Sequence, residues 1–112
     1  MNIEERMDYL EFRMDLLRDG SELCKFIYDS RINREQLNGL YNIMDYCREK
    51  IGKNEEISSA DYETKVLELV DNKSLDYHFC ETFARLLWEE KRYEEDLPFL
   101  YKNSQKFYNL FK

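Results

Sequence analysis

The sequence predicts an all-α protein: a compact multihelical bundle of about five to six helices, whose N-terminal helix carries a short coiled-coil-like seam. Three observations carry this. Val, Ile and Thr number only 10 in 112 residues, with 3 Gly and 1 Pro, too little β-branched and turn material for a sheet protein. Fourteen Leu and four Met stand among abundant Glu and Lys, the residues that helices favour. Apolar residues also recur at helical spacing between recognisable helix starts and stops. A chain of 112 residues fits a single helical domain, 1–112, and is long enough to bury a core.

The first helix reads from about Asn2 to Asp19. Ile3, Met7, Leu10, Met14 and Leu17 follow a 4-3-4-3 rhythm. That places Met7 and Met14 at heptad position a, and Ile3, Leu10 and Leu17 at d. A second stripe, Tyr9, Phe12 and Leu16, runs along the opposite side at c and f. A helix apolar on two opposite sides does not suit the surface of a small monomer. Either one stripe meets the chain's own core and the other a second copy, or the helix is central and packed on both sides within one subunit. The first alternative predicts a homodimer, with partner contacts drawn from Ile3, Met7, Leu10, Met14 and Leu17 or from Tyr9, Phe12 and Leu16, whichever stripe is left free. Arg6 and Glu11 would pair in a parallel dimer, whereas Arg13 and Arg18 would repel, so strand polarity stays open.

Asp19-Gly20-Ser21 is the first break, with Gly20 suited to a helix C′ position and Ser21 to an N-cap. A short helix follows over about Glu22–Asp29, burying Leu23, Phe26 and Ile27. The third helix starts with a capping box, Asn33 with Gln36, and a hydrophobic staple, Ile32 with Leu37. It runs to about Ile51 with Leu37, Leu40, Met44, Cys47 and Ile51 on one face, Gly39 inside it and Gly52 ending it. Ser58, Asp61, Ile57 and Tyr62 repeat the same box and staple for a fourth helix reaching about Val70. Asp71-Asn72-Lys73-Ser74 breaks it.

The fifth helix reads from near Asp76 to around Lys91. Its broad apolar surface, Phe79, Cys80, Phe83, Ala84, Leu86, Leu87 and Trp88, marks a central element. The last helix is expected to start near Tyr93. Glu94, Glu95 and Asp96 suit its positive end, Pro98 its first turn, and Lys102, Lys106 and Lys112 its negative end. Leu97, Leu100, Tyr101, Ser104, Phe107, Tyr108 and Phe111 would form its inner face, with Tyr101 and Tyr108 partly exposed.

Charge narrows the partners. The chain carries 17 basic and 24 acidic side chains, a net −7, divided 9 to 13 over residues 1–56 and 8 to 11 over 57–112. Neither half is basic, so no nucleic-acid partner is expected. No apolar run approaches the roughly 18 residues of a membrane helix, and Met1 leads into Glu4 and Glu5 rather than into a secretory leader. A cytoplasmic protein is expected, with Cys24, Cys47 and Cys80 as reduced, buried thiols.

Little catalytic chemistry is readable. His78 is the only histidine. His78 with Cys80 falls on different helix faces, and His78 with Glu81 supplies two of the about four ligands that zinc needs. No catalytic, cofactor-binding or metal residues are therefore assigned. The carboxylate runs Glu89-Glu90 and Glu94-Glu95-Asp96 read as solvated or helix-start charges. The expected function is a non-enzymatic, dimeric protein–protein interaction or regulatory module. The alternative is an acidic, nucleic-acid-mimicking inhibitor of a DNA- or RNA-binding protein.

Three stretches resemble the YhaI-like proteins of Bacillus and relatives, a family of uncharacterised function. They are Ile3-Glu4-Glu5-Arg6-Met7-Asp8-Tyr9-Leu10-Glu11-Phe12 with Leu16-Leu17, then Ile32-Asn33-Arg34-Glu35 with Ile43 and Met44, and Leu75-Asp76-Tyr77-His78 followed by Tyr93. The resemblance is one of length, order and spacing along nearly the whole chain. It implies a multihelical, dimeric, cytoplasmic protein and carries over no catalytic residue.

Overall fold

A computed structural model describes residues 2–102. Among them the chain is all-helical, with α1 (Ile3–Asp19), α2 (Glu22–Asp29), α3 (Arg34–Gly52), α4 (Ser59–Val70), α5 (Tyr77–Glu89) and α6 (Asp96–Leu100). None of these helices is long and apolar enough to cross a membrane.

Local side-chain chemistry sets most of the boundaries. The Asn2 side chain accepts from the Glu5 N–H at 2.8 Å, and Gly20 closes α1 at φ 70°, donating its N–H to the Leu16 carbonyl. Only glycine enters that left-handed region without a Cβ penalty. Ser21 caps α2 through the Cys24 N–H. Both capping boxes form: Asn33 with Gln36 at 2.7 and 2.9 Å, and Ser58 with Asp61 at 3.1 and 3.2 Å. The Gln36 amide also donates to the Val70 carbonyl, so the start of α3 satisfies an orphan acceptor at the end of α4.

The core is built where α3, α4 and α5 meet. Leu40, Met44 and Cys47 of α3, Tyr62 and Val66 of α4, and Phe83 and Leu87 of α5 are fully buried. The Tyr62 hydroxyl donates to the Cys80 carbonyl at 2.8 Å, which removes the cost of burying a phenol. An aromatic row, Phe26–Phe79–Phe83–Tyr41–Tyr93, links α2 to α3 and to the turn after α5.

Gly39 lies against Leu69 of α4: a Cβ there would lie 2.8 Å from the Leu69 Cδ2. Gly52, also helical, faces open space. Gly52→Ala is expected to stabilise by about 0.5 kcal/mol through helix propensity. At Gly39 the same gain is reduced, because the end of the half-buried Leu69 side chain must turn aside. Paired thermal melts check that Gly52→Ala gains more than Gly39→Ala.

The fifth and sixth helices differ from the expectation. α5 stops at Glu89 rather than near Lys91, and α6 begins at Asp96 rather than near Tyr93. The reason is a turn in which Lys91 and Tyr93 take φ 61° and 52°, angles no right-handed helix contains. Pro98 does fall in the first turn of α6. Tyr101, expected to be partly exposed, is buried, because its hydroxyl reaches Glu63 of α4 at 2.7 Å and its ring meets Tyr62 edge-on. The expected positions of Ser104, Lys106, Phe107, Tyr108, Phe111 and Lys112 lie outside the described residues.

Candidate interaction face

α1 packs chiefly on α2, and the two stripes have different fates. Phe12 and Leu16 are 5% exposed and belong to the chain's own core. Tyr9 is half-buried beside them. Arg13 ties this side down: its Nη1 donates to the Tyr9 hydroxyl (3.1 Å) and to the Tyr28 carbonyl (3.2 Å), and its guanidinium lies 3.8 Å from the Tyr28 ring centre. Arg34, at the start of α3, adds an ion pair with Asp8 at 3.7 Å and sits over the Phe12 ring. Tyr9, Phe12 and Leu16 therefore drop out of the candidate interface, because these contacts turn their side of the helix inward.

The other stripe is bare. Ile3, Met7, Leu10, Met14 and Leu17 are 73, 65, 58, 54 and 55% exposed. They form one continuous line along the whole 17-residue helix. Side chains of this size at these exposures leave about 600 Å² of apolar surface, the upper end of what a monomer ordinarily shows. Arg6 lies on one edge of the line and Glu4 and Glu11 on the other, and Arg6, Glu4 and Glu11 form no ion pair among the described residues. On the same edge as Glu4 and Glu11, Arg18 pairs loosely with Asp15.

Elsewhere the groups capable of chemistry are separated or silenced. His78 is exposed in the first turn of α5, its ring against Tyr77 and its Nδ1 3.3 Å from the Asp76 carboxylate. The His78 backbone N–H, with the ring's help, holds the Asp76 carboxyl below its ordinary value. Burial pushes the Cys47 and Cys80 thiols up to about 12 and raises Cys24, which is only half-buried. All three stay protonated near neutrality and are poor nucleophiles. Among the described residues no three His, Cys, Asp or Glu side chains converge as a metal site. Surface acids are interleaved with bases in pairs such as Lys50–Glu55, Lys53–Glu49 and Arg85–Glu89.

One functional-looking group was not legible as such. Asp96, expected as a solvated helix-start charge, is 0% exposed, and neither carboxylate oxygen has a hydrogen-bond partner among the described residues. Burial raises its carboxyl to about 7; Glu95 and Asp45 push the same way and Arg48 opposes them. The correction has a simple cause. Because α6 starts at Asp96, this residue stands one helical turn before Leu100 and shares its inward face. The preceding turn is strained as well, since each left-handed non-glycine residue costs about 1–2 kcal/mol. Outside contacts hold it: Arg92 over Tyr41, Tyr41 stacked on Tyr93, Arg48 over Tyr93, and the Arg48–Glu95 ion pair.

No protein-family model, curated protein or solved structure matches the chain.

Proposed function

We propose that this protein is a non-enzymatic, dimeric interaction module that pairs with a second copy of itself through the exposed α1 stripe. The supporting observation is that stripe: five large apolar side chains in heptad rhythm, with the opposite face of the same helix already buried. Two copies would together cover about 1,200 Å², the lower bound for a specific interface.

Charge favours a parallel, in-register pair. Each Arg6 then meets Glu11 of the partner subunit across the seam. The Arg13–Arg18 opposition raised against this arrangement is weakened, because contacts with Tyr9 and Tyr28 draw the still-charged Arg13 guanidinium toward α2 and away from the seam. Of the two antiparallel registers, one sets Glu11 against Glu4 of the partner subunit; the other sets Glu11 against Glu11 of the partner subunit and Glu4 against Arg18 of the partner subunit, an arginine that already pairs with Asp15 in its own chain.

Glu11→Lys reads the sign. In the parallel pair it replaces two attractions by two repulsions, weakening the dimer by about tenfold. In an antiparallel pair the same change relieves repulsion and tightens it. The dissociation constant from sedimentation equilibrium at low salt decides, and an Arg6→Glu, Glu11→Arg exchange should restore the parallel pair. A dimer insensitive to all three charge changes would not use this seam.

A further inference from the structure

We propose that α6 and the turn before it form a proton-gated latch, in which a neutral Asp96 side chain holds α6 down on α3 and α5 and its ionisation frees the segment. Three structural facts converge. Asp96 is completely enclosed, with neither oxygen partnered among the described residues. The turn leading to it holds two non-glycine residues at positive φ, Lys91 and Tyr93, so the closed form is strained. The contacts that hold the turn shut, Arg48 with Glu95 and Tyr93, and Arg92 with Tyr41, all lie on the outside.

The surroundings explain why an ionised Asp96 cannot stay closed. α3 faces it with Asp45, Arg48 and the Cys47 thiol, and its own segment adds Glu95. Arg48, the one base among these, is already engaged by Glu95. From α4, the Tyr62 phenol within its reach already donates its hydrogen bond to the Cys80 carbonyl. On α5 the Cys80 thiol is turned to the Glu63 and Asp76 carbonyls, and the ion pair Arg85–Glu89 stands on the solvent side. Among the described residues no strong donor is left for a carboxylate, so the charge must reach water, and lifting α6 supplies it. The raised carboxyl value, about 7, puts the change in the neutral range. Opening would uncover Leu97, Leu100, Tyr101 and the Cys47 thiol.

The sign follows from linkage. The closed form holds the proton more tightly than the open one, so opening becomes easier as pH rises from about 4 to about 7 and levels off above. The test is amide hydrogen exchange from pH 5 to 8 on the full chain, corrected for intrinsic rates. Its reporters are Phe99 and Tyr101, whose N–H groups bond to Glu95 and Leu97; Leu40 and Met44 of α3 are the reference. In wild type the protection of Phe99 and Tyr101 is expected to fall about tenfold per pH unit up to about 7 and to lie below that of α3 at every pH, because α3 exchanges only on global unfolding, which the same ionisation eases with the same slope. In Asp96→Asn, which keeps the shape and removes the ionisation, protection in α6 should not vary with pH. The proposal is overturned if wild-type α6 shows no such fall, if Asp96→Asn shows the same fall, or if α6 is as protected as α3 at each pH, which would mean that it opens only with the whole fold.

Discussion

Leu10→Asp is expected to abolish self-association while leaving each chain folded. Leu10 sits at the middle of the seam and is 58% exposed in the single chain, so the fold does not depend on it and its own stability should change by no more than about 0.5 kcal/mol. In the paired state the substitution places two carboxylates at the centre of an apolar interface. Burying an unpaired charge costs about 3–5 kcal/mol, which is at least about a hundredfold in dissociation constant. Phe12→Ala, two residues on, is the opposite case. Phe12 is 5% exposed and packs under Arg34, so its truncation should cost about 3–4 kcal/mol of folding free energy. Sedimentation for the first variant and denaturant titration for the second separate the two faces of one helix.

The second large effect is at Asp96, in the pH dependence of overall stability. An unfolded aspartate titrates near 3.9, whereas the folded carboxyl is raised to about 7. The folded state therefore binds a proton that the unfolded state has lost throughout that window. Stability from this residue is complete below about pH 4, falls by about 1.4 kcal/mol per unit up to about pH 7, and is flat beyond. The total is roughly 4 kcal/mol, comparable to much of the stability of a small domain. Asp96→Asn removes the slope. At pH 8 it should be more stable than wild type by about 1–3 kcal/mol, the gain being reduced by an amide that is itself unpartnered. Asp96→Leu should gain at least as much. Urea titrations at pH 5 and 8 give both numbers; a wild-type stability that rises between those values would contradict the burial of an unpaired carboxyl.

Much of the fold was legible because it is written in local chemistry. Asn33 with Gln36, Ser58 with Asp61, Ser21 and Gly20 each act within one turn of the chain, and each stands where its residue type requires. The α1 problem was only half legible. Periodicity shows two stripes but carries no information on which faces inward; the answer lies in contacts distant in sequence, Arg13 on Tyr28 and Arg34 on Phe12. The α5–α6 turn was not legible, because Lys91 and Tyr93 adopt angles that their residue types disfavour, held by the backbone bonds that close α5 together with tertiary contacts. Asp96 was hidden for the same reason. Acids are rarely enclosed, and the signal that it shares a face with Leu100 appears only once α6 is known to begin there.

The central claim is that the bare face of α1 is a self-association seam. Sedimentation equilibrium on the wild-type chain, from about 1 to 500 µM, tests it most directly, since that range covers the weak association typical of an interface near the lower size bound. The expected result is a concentration-dependent rise from the chain mass of 13.8 kDa to twice that value, lost in Leu10→Asp. A single species at the chain mass throughout that range would contradict it.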